Sequence, residues 1–144
     1  MAQISRHPGI AAVLTQAPLP PLRLTRLRLT DFRSYPSFEA RFEGRIVAIA
    51  GENGVGKTNL LESISLLGPG RGLRGAKAAE MGRRVAGESR PWAAWGRFEG
   101  PHGASAIATG TVGEDGADAR RKWRLDDEPL KSGAELADRA AAVW

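Results

Sequence analysis

The chain contains no cysteine. That excludes disulfides and cysteine-based zinc or redox sites, and it fits a reducing cytoplasm, where we expect the protein to reside. Histidine is nearly as scarce. His7 and His102 stand alone in the sequence, too isolated for a metal site or a catalytic base. Aromatic residues make up 6% of the chain. No apolar run approaches the roughly 18 residues that a membrane-crossing helix needs. The stretch Ile10-Ala11-Ala12-Val13-Leu14 is too short for a signal-peptide core, and Pro8 and Gly9 interrupt its approach. Neither membrane insertion nor export is expected.

What remains is a chain of 144 residues, about one domain, with 42% hydrophobic and 26% charged residues. Its net charge is +5, which makes polyanions plausible partners but is equally met by basic residues that only solvate a surface. Pro8, Pro18, Pro20 and Pro21 punctuate residues 1–21, which lack sustained periodicity. These residues are expected to form a poorly ordered tail, with the ordered part running over 22–144.

In that ordered part, Leu22, Leu24, Leu27, Leu29 and Phe32 set a two-residue rhythm that slips once, between Leu24 and Leu27. The pattern predicts a strand over about 23–31 with a bulge. Pro36 is expected to break the chain. Phe38, Ala40 and Phe42 alternate with charged residues, as in a half-exposed strand. The run Arg45–Ala50 is apolar and β-branched, so it reads as a buried central strand. Leu60, Leu61, Ile64 and Leu67 then fall on one helical face, ended by Gly68-Pro69-Gly70. Residues 70–90 read as a basic loop. Short antiparallel strands are expected at 92–99, 104–113 and 120–125. Ser132 and Glu135 form a capping-box pattern for a last helix, whose face would carry Leu136, Ala140 and Val143. That helix would be left unfinished at Trp144, so the chain is expected to be the first part of a larger unit.

Between the apolar run and the helix lies Gly51-Glu52-Asn53-Gly54-Val55-Gly56-Lys57-Thr58, which matches the phosphate-binding pattern G-x-x-x-x-G-K-[ST]. Each fixed residue has a physical task there. The glycines permit backbone angles closed to other residues and let the main chain approach a ligand. Successive N–H groups form an anion nest, and the helix that follows adds the positive end of its dipole. Lys57 places a full charge near the β- and γ-phosphates of a nucleotide, and Thr58 offers a hydroxyl to Mg²⁺. Asn53-Gly54 alone would suit a hairpin turn, but a hairpin needs a period-two strand next, and a helical face follows instead.

Three segments together narrow the reading. They are Leu24-x-x-Leu27-x-Leu29-x-x-Phe32-Arg33-Ser34-Tyr35, the loop continued through Asn59-Leu60-Leu61-Glu62, and Pro69-Gly70-Arg71-Gly72-Leu73-Arg74. In order and spacing they resemble the N-terminal part of the RecF family of bacterial recombination and repair ATPases, which is similar to SMC heads within the ABC ATPases. The resemblance implies an α/β fold of the P-loop NTPase, ABC-type head class, here its N-terminal part with an antiparallel β-subdomain and an incomplete sheet. It implies ATP with Mg²⁺ as ligand and action on DNA at single-strand gaps or junctions. Recombination mediators and RecA would be partners, and two heads would join when ATP binds. It places Asn53 near the γ-phosphate, the segment containing Phe32 and Arg33 toward the nucleotide, and Arg71 and Arg74 where related heads contact DNA. Hydrolysis in such heads also needs a Walker B carboxylate pair and a signature loop. Leu125-Asp126-Asp127 lacks the apolar approach of the first, and Leu130–Glu135 is explained by helix capping instead of the second. The chain itself is therefore expected to bind nucleotide without turning it over. Two alternatives are a small P-loop kinase with residues 71–90 as its lid, and a non-catalytic nucleotide-binding interaction module. A kinase would alternate helices with parallel strands, whereas residues 92–130 read as β-rich.

Overall fold

The computed structural model describes residues 22–44, 46–101, 103–111 and 119–137. The tail expected over residues 1–21 and the positions Ala140, Val143 and Trp144 lie outside them. Strand β1 spans Arg23–Phe32, as the leucine rhythm predicts. Its pairing with β5 (Ala93–Gly100) matches Leu24 to Phe98 and Arg26 to Arg97, which leaves Thr25 as the extra residue of a bulge. The bulge explains the slip: it turns Leu24, Leu27 and Leu29 all toward the same face. The Thr25 hydroxyl anchors it by donating to the Arg97 carbonyl at 3.1 Å.

Strand β2 spans Tyr35–Arg41 and pairs with β1 so that Phe38 lies opposite Leu29 and Ala40 opposite Leu27. Pro36 does not break the chain here. It sits inside β2, which is an edge strand, and an edge tolerates a residue without an N–H. The short hairpin β3 (Arg84–Val85) and β4 (Glu88–Ser89) gives local order to the stretch expected as loop. Strands β5, β6 (Gly103–Gly110), β7 (Lys122–Leu125) and β8 (Glu128–Leu130) form an antiparallel meander. The sheet order is β2-β1-β5-β6-β7-β8. The last hairpin was not legible as such; it turns on Asp126 and Asp127, both left-handed at φ 49 and 68.

Helix α1, Lys57–Ser65, packs its C-terminal end on the sheet. Gly96 makes room for it: a Cβ there would lie 2.6 Å from Leu67 Cδ1 and 3.0 Å from Leu24 Cδ1. The buried face differs from the expected one. Leu60, Glu62, Ser63 and Ser65 are buried, followed by Leu66 and Leu67, whereas Leu61 is 42% exposed. Leu61 and Ile64 instead border an apolar cleft of about 520 Å³, shared with Leu24, Phe42, Val47 and Ile49. The core itself gathers Leu27, Leu29, Phe32, Leu66, Leu67, Met81, Trp92, Ile107 and Leu136. Trp92 meets Phe32 edge-on at 5.2 Å and donates its indole N–H to the Ala78 carbonyl at 2.7 Å.

Arg121 fastens the end of α1 to the meander. Its guanidinium donates to the carbonyls of Leu66 and Gly70 and to the Thr109 hydroxyl, and lies 4.5 Å from the Trp123 ring centroid. A cation at a helix C-terminus satisfies carbonyls that the helix leaves unpaired. Burial pushes the Arg121 pKa down to about 10, so the group stays charged at neutral pH. At the far end of the chain, the expected capping box of Ser132 and Glu135 is present, on a 3₁₀ turn, Gly133–Leu136. The Glu135 carboxylate accepts from the N–H groups of Lys131 and Ser132, and Leu136 is buried.

The largest departure from the sequence expectation is residues 46–50. They are not a strand, and Ile46 is 93% exposed. A strand forms only where neighbouring backbone completes its hydrogen-bond ladder, and no described strand lies beside this run.

Candidate nucleotide-binding site

The loop between Ala50 and α1 is shaped by its glycines. Gly54, in the turn after Asn53, has φ 86, although a Cβ there would meet nothing within 4 Å; backbone angle alone calls for glycine. Gly56 is constrained twice. It is the left-handed N-cap of α1 at φ 105, and a Cβ would lie 2.8 Å from the Tyr35 hydroxyl. No side chain caps α1. Its first N–H groups, at Lys57, Thr58 and Asn59, have no partner within the helix and are free to meet an anion.

Lys57 curls back across the loop. Its ammonium donates to the carbonyls of Gly51 and Glu52, both at 2.6 Å, and so lies over the concave side of the backbone. Thr58 is exposed in the first turn of the helix, and Glu52, Asn53 and Val55 are exposed along the loop. The eight residues Gly51–Thr58 therefore stand together as one surface feature with amide N–H groups, one ammonium and one hydroxyl. That donor set suits a polyphosphate. For a divalent cation the loop offers the Thr58 hydroxyl, and among the described residues no group of three or more metal-ligating side chains exists.

The turn between β1 and β2 braces the loop from below. The Tyr35 hydroxyl donates to the Gly56 carbonyl at 3.1 Å, and the Asn59 amide donates to the Ser34 hydroxyl at 3.0 Å. Ser34 and Tyr35 are thus the residues of this segment that touch the loop. Within the segment expected to lie toward the nucleotide, Phe32 and Arg33 themselves turn elsewhere. Phe32 is fully buried in the core. Arg33, left-handed at φ 51, turns its side chain to Glu62.

Glu62 is the buried charge that periodicity missed. It is 1% exposed on α1, and Arg33 grips it with two bonds, Nε to Oε2 at 2.9 Å and Nη2 to Oε1 at 2.8 Å. Arg74 adds a third, Nη1 to Oε2 at 3.0 Å, and the same nitrogen donates to Asn59. A carboxylate buried among apolar residues needs such partners, and both arginines occur in the segments that carry the family resemblance. The structure therefore ties Arg74 to α1. Arg71 is exposed and makes no hydrogen bond or ion pair among the described residues. Asp126 and Asp127 sit in the β7–β8 turn, where the Asp126 carboxylate accepts the Ala106 N–H at 2.7 Å.

A loop of this shape opening a helix, beside an antiparallel sheet, has the fold of the N-terminal part of a P-loop NTPase of the ABC-type head class. The SMC head domain from Thermotoga maritima shares the fold, with TM-score 0.59 at 21% identity over 83% of this chain and 42% of that one. The family model described as an AAA domain matches residues 26–77. More specifically, the chain is similar to the DNA replication and repair protein RecF of Caulobacter vibrioides, 46% identical over 123 residues. A solved structure of the recombination mediator protein RecF with ATPrS superimposes with TM-score 0.69 at 25% identity, over 82% of this chain and 30% of that one. Over 84% of its length the chain is similar to RecF sequences, and these likenesses support a RecF-like N-terminal fragment. It covers 31% of the Caulobacter relative, which itself matches 84% of this chain. Among the described residues no helix is long and apolar enough to cross a membrane.

Proposed function

We propose that this chain is the ATP-binding part of a RecF-like DNA replication and repair protein of the cytoplasm, one that acts at single-strand gaps or junctions. The observation that carries the reading is Lys57 poised over glycine-shaped backbone at the uncapped start of α1. The N–H groups of residues 53–58 would hold the phosphates of ATP, Lys57 would exchange its two carbonyl partners for phosphate oxygens, and Thr58 would complete the shell of a nucleotide-bound Mg²⁺. Asn53, at the loop's outer turn, would stand beside the terminal phosphate. DNA, recombination mediators, RecA and a second ATP-bound head are the partners that the likeness to RecF suggests.

The chain on its own is proposed to bind without hydrolysing. Hydrolysis needs a carboxylate beside the metal and an oriented water, and the adjacent pair Asp126-Asp127 is committed to a hairpin turn. The antiparallel meander over β5–β8 also favours this reading over a small kinase, which would build a parallel sheet. Titration with a fluorescent ATP analogue and Mg²⁺ tests the proposal. Lys57→Ala should weaken binding about 10- to 100-fold, the equivalent of a charged hydrogen bond worth about 1.5–3 kcal/mol. Unchanged affinity in a folded variant sinks it. Binding of ATP with no influence on DNA affinity would leave the non-catalytic interaction module.

A further inference from the structure

The six-stranded sheet has a second face, turned away from α1, and the register fixes what stands on it. Leu27, Leu29, Ala94 and Ile107 define the core side. The residues between them point outward. Across three neighbouring strands, Arg41, Arg26 and Arg97 are directly opposite one another. The adjacent row carries Arg28 on β1 and Arg124 on β7. Between them stand Trp95 on β5 and, on β6, Ala104, Ala106, Ala108 and Gly110, so the β6 strip of the face is low and carries only small side chains.

Arginines directly opposite on adjacent strands, about 4.8 Å apart, repel and cost stability. Within the protein the repulsion is only partly relieved. Glu39 serves both Arg26 and Arg28, at 2.5 and 3.0 Å, and Glu99 is taken by Arg23 at 2.7 Å. The side chains of Arg41 and Arg97 have no hydrogen-bond or ion-pair partner among the described residues, and both are exposed. The double demand on Glu39 shows in its pKa, lowered from the ordinary glutamate value by hydrogen bonds from Arg26 and then Arg28. The face thus carries more positive charge than its own acids can match.

We propose that this outer face is a docking surface for the phosphate backbone of duplex DNA, centred on Arg26, Arg41 and Arg97. The inference rests on the reading of the chain as part of a DNA-acting protein, and it places the contact on the sheet, away from the loop and from Arg71 and Arg74. Charge complementarity selects a polyanion. Duplex DNA is favoured over a single strand for two reasons. A duplex presents one charge per roughly 1.7 Å, the denser target for a flat basic surface. A single strand is held largely by base stacking, and the one aromatic residue at the centre of the face, Trp95, already has the Arg28 guanidinium 5.6 Å from its ring centroid.

The test is fluorescence anisotropy with a labelled duplex and a single strand of equal length, at several salt concentrations, using the whole chain with and without ATP. Arg41→Ala/Arg97→Ala should weaken duplex binding about tenfold at low salt and make the log–log salt slope less negative by about 2, as two phosphate contacts are lost. The same variant should keep or raise the thermal midpoint, because it removes repulsion; a fall would mark the arginines as structural and overturn the proposal. Unchanged duplex affinity and slope, with binding weakened instead by Arg71→Ala, overturns this surface but leaves the DNA reading standing. Wild-type protein that binds no DNA, or binds only poly-glutamate, overturns both. A single strand bound as tightly as the duplex overturns the choice of occupant.

Discussion

Replacing Arg33 by alanine should be among the most damaging single changes outside the apolar core. Glu62 is 1% exposed and Arg33 supplies two of its three ionic bonds. Removing one partner of a buried ion pair costs about 3–5 kcal/mol, because a charge is left without solvent or counter-ion. Arg74 stays at 3.0 Å on Oε2, which places the expectation near the lower end, about 3 kcal/mol. The lost bond from Arg33 Nη1 to the Glu80 carbonyl, 2.7 Å, adds to it. For a chain of this size that is a drop of roughly 10 °C in midpoint. Urea unfolding followed by tryptophan fluorescence reads it, since Trp92 packs edge-on against Phe32, the neighbour of Arg33. The control is Arg33→Met/Glu62→Leu, which removes both charges and keeps the volume. It should recover most of the loss, as apolar replacements of buried pairs do. A single variant within about 1 kcal/mol of the parent, or a double variant no better than the single, would refute the account of Glu62 as a buried charge that depends on Arg33.

Arg121→Met keeps much of the side-chain volume but frees the carbonyls of Leu66 and Gly70, so urea unfolding should show a loss of about 1–3 kcal/mol. Gly96→Ala forces a methyl group against Leu67 and Leu24 and should cost about 1–3 kcal/mol by the same assay, with the sheet retained by circular dichroism. The apolar cleft beside Leu61 and Ile49 should bind a hydrophobic dye such as ANS, and Leu61→Lys should lower that signal with little change in stability; equal dye binding would place the exposed apolar surface elsewhere.

Elements whose order is set within their own segment were legible in the sequence. The slip between Leu24 and Leu27 announced the bulge at Thr25, and the glycine spacing announced a loop opening a helix. The antiparallel strands after Trp92 alternate clearly and are joined by turn residues. Legibility failed where distant partners decide. Nothing local tells that Glu62 turns inward and Leu61 outward, because the choice depends on Arg33 and Arg74, 29 and 12 residues away in the chain. Periodicity places apolar residues inside by default and has no means of recognising a buried charge whose counter-ions lie elsewhere. Arg74 is expected in a basic stretch where related heads contact DNA, and its tie to Asn59 and Glu62 is hidden for the same reason; Pro36 reads as a break because its position on a sheet edge is a tertiary fact.

The two halves of the loop are supported unequally, and this bears on how nucleotide binding should couple to the fold. The half from Gly56 onward is fixed by Tyr35, by the Asn59–Ser34 bond and by the Glu62 network beneath α1. The half before it follows residues 46–50, which have high strand propensity but no ladder, and among the described residues its ties to the second half run chiefly through Lys57 to the carbonyls of Gly51 and Glu52. Those are the two bonds that Lys57 would give up for phosphate. A ligand that takes the lysine must therefore replace them by contacts of its own to the Gly51–Val55 backbone, or part of its binding free energy goes into ordering that segment. Affinity should then depend on whatever stabilises residues 46–50 as much as on the loop residues themselves, since a ligand that binds one arrangement only shifts the population toward it.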